Sequence, residues 1–387
     1  MPKELVCDIC QSRMFRIILN NELPSVCSGG EIVQNTIPLK REECQECGFI
    51  KTVSSPLDEY GDHYYKSTYS AKLKNQNYDF VNFAFNKNFV DVLNDFILEY
   101  PFEEDGTLLD IGCGKGGFEK AFLAQYPNWK ATGVDPSLKS IEIARKNAPD
   151  ATFVLDKYDF EMFKADQYDL IAMHTILNRV SPAILIKDAS ILLKENGILS
   201  VQIAIFEQTP FQFFFADHPY IYDFSHLAFI CANYGLHLIR QDNRGNLTRA
   251  LFQKNSNKVT IPLGREQILQ KNKSIALEWQ RVISMLTEYK KQHKKIAIYG
   301  AGTTAAMLIA QSEYPLPWVI HVFDDNEFKI GEEFLGREIV PLSQNLAQEA
   351  DAVLLCAGPD GIERMSNKVG KAYVIGYGLA SSKGLQW

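Results

Sequence analysis

Four cysteines near the N-terminus have the spacing of metal ligands. Cys7 and Cys10 form one C-x-x-C pair, and Cys44 and Cys47 form a second. Each pair can fold as a short turn that presents two thiolates, and two such turns complete the tetrahedral ligand set of a Zn²⁺ ion. Four thiolates leave no open position for water or substrate, so the spacing predicts a structural zinc ion. Free thiols or a redox pair are the alternatives.

A glycine-rich loop supplies a second chemical signal. Residues 108–111 form a short apolar run that contains Asp110, and a helical pattern starts at Phe118; between them, glycines alternate with other residues at Gly112, Gly114 and Gly116. Glycine lets the backbone approach a ligand closely and adopt positive φ. The last glycine comes too early for the dinucleotide fingerprint G-x-G-x-x-G, and no Walker lysine followed by Ser or Thr is present. The loop predicts a nucleoside-binding turn, with an ordinary strand-to-helix turn as the alternative.

Polar side chains end the strands predicted after this loop. Asp135 ends the run 129–135, about 20 residues beyond the loop, where a carboxylate can accept hydrogen bonds from both hydroxyls of a ribose. Asp156 follows the predicted strand 151–155, and His174 follows the strand 168–173. We expect all three side chains at the cofactor site, and Asp135 to contact the ribose.

His218 is the candidate catalytic base. It lies between a fifth predicted strand, residues 198–205, and a terminal hairpin, with Asp217 and Tyr222 nearby in a dense apolar segment that can exclude water. Segments that follow the carboxyl end of a parallel strand border the ligand crevice. A histidine suits proton abstraction near neutral pH because its ordinary pKa is about 6.5. A buried or surface histidine without a catalytic role is the alternative.

A tyrosine-rich segment, residues 58–70, contains Tyr65 and shows no clear periodicity. It is either a loop packed against a neighbouring domain or a lid over a substrate pocket, whose phenol hydroxyls would donate hydrogen bonds.

A parallel sheet is needed to bring these residues together. Five strand–helix units followed by a hairpin at 236–241 and 247–253 predict a central α/β sheet. Apolar residues at helical spacing predict helices over 78–100 and 265–293. A second strand–turn–helix then begins near residue 296 with the pattern Gly300-Ala301-Gly302, followed by the acidic run 324–326, which predicts a Rossmann-like C-terminal sheet.

Composition restricts the class of protein. The 387 residues are 46% hydrophobic, enough for two or three domain cores, and the formal net charge is −7 at pH 7. An acidic chain does not suggest a nucleic-acid or membrane-surface partner, because either usually requires a basic face. No apolar run reaches the roughly 18 residues of a spanning helix, and no signal-peptide pattern is present. We expect a cytoplasmic protein that acts on a small molecule; the oligomeric state is left open.

The sequence resembles known families at these same motifs. The loop from Asp110 to Gly116 is similar to the D-x-G-x-G-x-G loop of class I S-adenosylmethionine (SAM) methyltransferases. Together with the cysteine pairs and the segment 300–326, it resembles the sugar C-methyltransferase family, which acts on nucleotide-linked keto-deoxysugars. That family has a Glu-His pair after the fifth strand, where this chain has Asp217-His218.

The resemblance implies a fold and a domain organisation. The fold is an α/β class I SAM-methyltransferase Rossmann-like sheet with a small N-terminal zinc-binding domain and a second C-terminal Rossmann-like domain. The predicted segments are a zinc-binding domain (1–55), a tyrosine-rich loop and connecting helix (56–100), a SAM-dependent methyltransferase domain (101–255), a helical connector (256–293) and the C-terminal domain (294–387).

The resemblance also implies chemistry. His218 would remove a proton beside a ketone, Asp217 would support it, and Tyr222 or Tyr65 would donate a hydrogen bond to the enolate oxygen. Asp156 would hold the adenine amino group of SAM. Two alternatives stay open: a methyltransferase that acts on a hydroxyl or amine of a sugar or another small metabolite, and a non-catalytic module that binds SAM or a nucleotide.

Overall fold

The computed structural model describes most of the chain. The described residues are 6–21, 39–53, 81–82, 87–88, 96–206, 209, 212–213, 215–244, 247–255, 261–327, 329–369 and 374–376. Tyr65 and the rest of the tyrosine-rich segment lie outside them. Within the described part, no helix is both long enough and apolar enough to span a membrane.

The N-terminal segment is an antiparallel β-ribbon. Strand β1 (Phe15–Asn21) pairs with β2 (Leu39–Cys44), and β2 pairs with β3 (Ile50–Thr52). The first cysteine pair precedes β1, and the second lies at the turn between β2 and β3, so the pairing of the strands brings both cysteine turns to the same end of the ribbon.

The helix predicted over 78–100 is wrong at residues 81–82 and 87–88. Residues 81–82 and 87–88 form a two-stranded antiparallel pair, β4 (Val81–Asn82) and β5 (Lys87–Asn88), whereas residues 96–98 are helical. The apolar spacing fitted a helix. However, valine and asparagine, the residue types at positions 81, 82 and 88, both disfavour a helix interior: valine is β-branched, and an asparagine amide competes for backbone hydrogen bonds.

The central sheet has seven strands in the order β12-β13-β10-β9-β6-β7-β8. The five strands from β10 to β8 are parallel, and β12 and β13 add an antiparallel hairpin at one edge. The elements in chain order are β6 (Thr107–Ile111), α1 (Gly117–Gln125), β7 (Lys130–Asp135), α2 (Leu138–Asn147), β8 (Thr152–Leu155), β9 (Tyr168–His174), α3 (Pro182–Leu192), β10 (Leu193–Ala204), β11 (Tyr220–Ile221), α4 (Phe224–Asn233), β12 (Leu236–Arg244) and β13 (Leu247–Lys254).

The order of the strands creates a crevice above β6. From β6 the chain adds β7 and β8 on one side, then crosses to add β9 and β10 on the other. Ligands of open parallel sheets bind at such a switch point, outside the carboxyl ends of the strands. Asp110, Asp135 and His174 lie at the carboxyl ends of β6, β7 and β9, respectively, so the fold places these predicted residues at one edge.

One short strand belongs to a different sheet from its neighbours in the chain. β11 follows the segment that contains His218, of which residues 212–213 and 215–218 are described (the His218 segment). β11 pairs with β3 of the ribbon, which gives a four-stranded sheet in the order β1-β2-β3-β11. The register pairs Tyr220 with Lys51 and Ile221 with Ile50. The segment that carries the candidate base therefore completes the N-terminal ribbon.

A long helix, α5 (Arg265–Lys291), leads to the C-terminal sheet. Six strands lie in the order β16-β17-β15-β14-β18-β19, parallel except for the β16–β17 pair. The elements are β14 (Ile296–Tyr299), α6 (Thr303–Ser312), β15 (Val319–Phe323), β16 (Glu333–Phe334), β17 (Arg337–Val340), α7 (Gln344–Gln348), β18 (Ala352–Leu355), α8 (Pro359–Lys368) and β19 (Val374–Gly376). This is the Rossmann-like arrangement predicted from the sequence.

Two large apolar clusters hold these parts together. One joins Trp279 and Leu286 of α5 to the C-terminal sheet and also includes Phe213 and Phe215 of the His218 segment. The other joins the cysteine turns and Phe49 to one face of the central sheet. The His218 segment is thus packed between the ribbon, α5 and the C-terminal sheet.

Candidate active site

The glycine loop has the conformation that its sequence predicted. φ is +84° at Gly112, +53° at Gly114 and +70° at Gly116. A Cβ at Gly116 would lie 3.0 Å from the backbone of Ala144 in α2, whereas one at Gly114 would meet no atom within 4 Å. Gly114 therefore leaves its outer side open to a ligand, and Gly116 lets α1 and α2 pack closely.

Asp135 ties the second strand to this loop. Its Oδ2 accepts a hydrogen bond from the Gly114 N–H at 3.1 Å, and its Oδ1 accepts one from the Ser137 N–H at 2.8 Å. Burial raises the pKa of Asp135, while these two hydrogen bonds and the charge of Arg179 lower it. An ionised carboxylate offers about four acceptor sites, so two remain for hydroxyls of a ligand.

Two buried acids lie beneath the loop. Asp110 and Glu119 are 3% and 0% exposed, and Asp110 Oδ1 and both Glu119 carboxyl oxygens have no hydrogen-bond partner among the described residues. Burial and the charge of Asp135 raise the pKa of Asp110 to about 8. Burial and the charge of Asp110 raise the pKa of Glu119 well above its usual range. The raised pKa values favour the protonated forms of both carboxyl groups, and a cation bound nearby would favour their ionised forms.

The sequence interpretation missed Glu119. Its signal was an acid in the first turn of the helix, between the apolar residues Phe118 and Phe122 that pack in the core. A second signal was Gly133 in the neighbouring strand, because a Cβ there would lie 2.5 Å from Glu119 Oε1. The small residue makes room for the buried acid.

Asp156 and His174 differ in their surroundings. Asp156 is exposed and accepts a hydrogen bond from the adjacent Lys157 N–H at 2.8 Å, so its carboxylate is accessible to a ligand. His174 Nε2 lies 2.9 Å from Ser200 Oγ in β10, and its ring meets the edge of Phe118 at 5.0 Å between ring centroids. Burial lowers the pKa of His174 to about 3, which keeps it neutral. The contacts of His174 stabilise the carboxyl end of β9.

His218 is a buried, neutral base. It is 8% exposed, and neither ring nitrogen has a hydrogen-bond partner in the described part of the chain. Burial lowers its pKa to about 3, the charge of Asp217 raises it, and the charges of Arg179 and Arg41 lower it. Asp217 Oδ2 lies 4.0 Å from His218 Nε2, which is beyond hydrogen-bond distance. Asp217 acts on the imidazole through its charge.

Arg179 relates this base to the cofactor crevice. Its charge lowers the pKa of both Asp135 and His218. It donates a short hydrogen bond to the carbonyl of Thr175, the residue that follows β9. Asn178, the residue before Arg179, donates a hydrogen bond to the Tyr220 carbonyl at 3.0 Å, so the chain that follows β9 contacts the chain that follows His218.

Of the two tyrosine candidates, the structure describes only Tyr222, and its described contacts are with the apolar core. Tyr222 is 4% exposed and belongs to the apolar cluster around Phe49, with its hydroxyl buried and without a partner among the described residues. Burial raises its pKa well above the usual range. The described contacts of Tyr222 are with the core rather than with His218. Tyr65 lies outside the described residues.

The four cysteines form a cluster that fits a tetrahedral ion. Their sulfur atoms all lie within 4.8 Å of one another, and the pairs Cys7–Cys47 and Cys10–Cys44 are each separated by 3.6 Å. A Zn–S bond of about 2.3 Å implies sulfur–sulfur separations of about 3.8 Å in a tetrahedron. Three of the four cysteines are fully buried. Zn²⁺ would therefore be enclosed by protein.

The second glycine fingerprint is occupied by the chain's own groups. Asp324 Oδ2 accepts hydrogen bonds from the Ala301 N–H at 2.8 Å and from Lys329 Nζ at 3.0 Å. Lys329 Nζ also donates to the Ala301 carbonyl at 2.8 Å. In a dinucleotide site, the carboxylate at this position would accept from a ribose. In this structure the carboxylate bonds the loop at Ala301 and pairs with Lys329.

Comparisons with known proteins agree with the central fold. Residues 83–241 match the model of a family described as a methyltransferase domain. Trans-aconitate 2-methyltransferase of Enterobacter sp. is 35% identical over 103 residues, which cover 26% of this chain and 40% of that protein. Ribosomal RNA large subunit methyltransferase G of Psychromonas ingrahamii is 31% identical over 135 residues, covering 30% of this chain and 35% of that protein. The chain thus spans less than half the length of these curated relatives.

Among solved structures, a SAM-dependent methyltransferase from Methanosarcina mazei is 18% identical, with a TM-score of 0.35, and covers 41% of this chain and 96% of that one. The residues that match the family model include most strands of the seven-stranded central sheet. Over residues 83–241 the chain is therefore similar to methyltransferase domains, and its central sheet has the open, largely parallel α/β order of a Rossmann-like fold.

Proposed function

We propose that this protein is a SAM-dependent methyltransferase that methylates a carbon beside the ketone of a nucleotide-linked sugar. The observation that carries the proposal is His218, a buried imidazole whose ring nitrogens have no hydrogen-bond partner among the described residues. Two residues later, the Tyr220 carbonyl accepts a hydrogen bond from Asn178, which follows β9. Methylation of an activated carbon requires such a base, because the proton beside the ketone must leave before the carbon can attack.

SAM supplies a methyl group already activated on a sulfonium. In the proposed reaction, a ring nitrogen of His218 accepts the α-proton, and the electron pair of the broken C–H bond passes into the enolate. The new carbon–carbon bond forms as the carbon–sulfur bond breaks, and that electron pair stays on sulfur. Asp217 stabilises the imidazolium by its charge, and the apolar surroundings of His218 exclude water.

Cofactor residues have distinct roles in this proposal. Asp135 would accept hydrogen bonds from the ribose, Asp156 would contact the adenine amino group, and the open side of Gly114 would admit the methionine part of SAM. Asp110 and Glu119 would provide negative charge beneath a cationic ligand. Cys7, Cys10, Cys44 and Cys47 would hold a structural Zn²⁺, whose four thiolate ligands leave no site for substrate.

An α-hydrogen exchange assay tests the proposed function. Thymidine- and uridine-diphosphate keto-deoxysugars are incubated with the protein in D₂O, first without SAM and then with it. We expect α-hydrogen exchange without SAM, and with SAM a product that carries a new carbon-bound methyl group in its carbon NMR spectrum. A methyl group bound to oxygen or nitrogen, with no exchange, would establish the alternative. That alternative has support from a malonyl-[acyl-carrier protein] O-methyltransferase of Halalkalibacterium halodurans, which is 30% identical over 104 residues. SAM binding without any turnover would favour a binding module.

SAM binding is expected to release a proton at pH 7. The pKa of Asp110 in the free protein is about 8, so the group is mostly protonated at that pH, and a bound cation lowers this pKa. SAM affinity is therefore expected to rise with pH, by at most about tenfold per pH unit for each proton released, and to level off above pH 8. Calorimetry at pH 7 in buffers of different ionisation enthalpy measures the release. Asp150→Asn, which changes an exposed acid with no proposed role at the SAM site, should still release the proton, and Glu119→Gln should release less. No release by the unaltered protein would contradict the prediction.

A further inference from the structure

One buried arginine holds the segment that carries His218. Arg41 lies in β2, three residues before Cys44, and is 0% exposed. Its guanidinium donates five hydrogen bonds, four of them to backbone carbonyls between residues 212 and 218. The acceptors are Phe213 O at 2.7 Å, Gln212 O at 3.1 Å, Phe215 O at 2.7 Å, His218 O at 2.8 Å and Thr52 Oγ1 at 2.6 Å.

The geometry requires arginine. A guanidinium has five N–H donors in a planar fork, whereas a lysine ammonium has three donors on one atom. The four carbonyls are bound by three different nitrogen atoms of the guanidinium, an arrangement that a single lysine nitrogen cannot reproduce. The buried charge of Arg41 is compensated by Asp217, whose charge raises the pKa of Arg41 against the effect of burial. Asp217 therefore acts on two neighbours, Arg41 and His218.

The backbone after His218 is tied to the same ribbon. The Thr52 N–H donates to the Pro219 carbonyl at 2.9 Å, and β11 continues the contact by pairing with β3. On the crevice side, Asn178 joins the segment to the methyltransferase domain: its side chain donates to the Tyr220 carbonyl at 3.0 Å. The backbone is thus held to the ribbon both before His218, at residues 213 and 215, and after it, at Pro219.

We infer that Arg41 is a positioning residue for methyl transfer: it fixes the backbone of residues 212–218 so that the imidazole of His218 faces the cofactor crevice. Through Arg41, the N-terminal ribbon takes part in the reaction by holding the base. The inference rests on the proposed function for its kinetic consequence. Its structural consequence, the order of residues 212–221, can be measured without any turnover.

The test compares Arg41→Lys with Lys40→Gln. Lys40 is the adjacent residue in β2 and pairs with Glu42 at 3.3 Å, so it serves as the matched control. Hydrogen–deuterium exchange is followed in residues 209–221 and in residues 107–147, SAM affinity is measured by calorimetry, and kcat and the pH profile of α-hydrogen exchange are determined.

For Arg41→Lys we expect exchange in residues 209–221 to accelerate by about tenfold or more, with residues 107–147, SAM affinity and zinc content unchanged. kcat should fall by about 10²-fold with KM for SAM unaffected, because a displacement of about 1 Å costs that much. The pH profile should also shift, since the charges around His218 move. Lys40→Gln should match the unaltered protein in every measurement.

Two results would overturn the inference: unchanged exchange in residues 209–221, or an equal loss of order in residues 107–147 with weakened SAM binding, which would mean general unfolding. If Arg41→Lys does not fold, Thr52→Val removes one acceptor of Arg41 and should accelerate exchange in the same residues to a smaller extent. If the unaltered protein turns over no substrate, the proposed function fails, while the exchange measurement still decides whether Arg41 fixes the segment.

Discussion

Replacing His218 by asparagine is expected to lower the rate of methyl transfer by about 10²–10⁴-fold, the usual contribution of a general base. Asparagine fills a similar volume but accepts no proton, so α-hydrogen exchange in D₂O without SAM should be lost as well. SAM affinity should stay within about twofold, because Asp110, Asp135 and the glycine loop are unchanged. Single-turnover kinetics and calorimetry on the same preparation measure the two effects separately.

His321→Asn is the matched control, since His321 lies in β15 of the C-terminal sheet and pairs with Glu349 at 2.8 Å. It should retain normal turnover.

A second expectation concerns the pH dependence of kcat: burial lowers the pKa of His218 to about 3, so the imidazole is neutral well below pH 6. At saturating SAM, kcat should therefore not fall between pH 8 and pH 5. An exchange rate that is unaffected in His218→Asn would remove this residue from the role of base.

Loss of the metal is the second change with a large expected effect. Structural zinc contributes on the order of 10 kcal/mol to the folding of small zinc domains. Cys44→Ser removes one ligand at the end of β2, the strand that carries Arg41. We expect this variant to bind less than one zinc ion per chain, to unfold at lower temperature, and to lose methyl transfer while the methyltransferase domain still binds SAM. Metal analysis, calorimetric melting and SAM titration measure these three properties.

A chelator should reproduce the effect on the unaltered protein, and added Zn²⁺ should reverse it. Cys356→Ala is the control, because Cys356 is buried in the C-terminal sheet outside the cluster. It should change stability modestly and leave zinc content unaltered. Full turnover in a metal-free preparation would show that the ribbon does not need the ion to hold the His218 segment.

Local pattern was sufficient for the crevice. The alternating glycines, the acid before them and Asp135 some 20 residues later are set by backbone conformation within short segments, and the structure places them where the pattern predicted. The order of five strands and a hairpin then followed from rules of parallel sheets. The long helix α5 also matched its apolar spacing.

Contacts between distant residues could not be predicted in this way. β11 has only two residues, and its partner strand lies about 170 residues earlier in the chain, so neither alternation nor length identified it. The five acceptors of Arg41 are mostly backbone atoms, which carry no sequence signal. Tyr222 was assigned to the site from its position near His218, whereas burial against Phe49 decided its surroundings. The roles of His218, Asp217 and Tyr222 remain predictions.

The pairing of β11 with β3 has a consequence for synthesis on the ribosome. The first three strands of the ribbon are synthesised before the central sheet, yet its outer strand is complete only when residue 221 has been added. Until then, β3 presents an unpaired edge, and the guanidinium of Arg41 lacks the four carbonyls that later enclose it. The native partner of β3 is therefore synthesised some 170 residues after β3 itself, so the four-stranded sheet can close only after most of the central domain has been made.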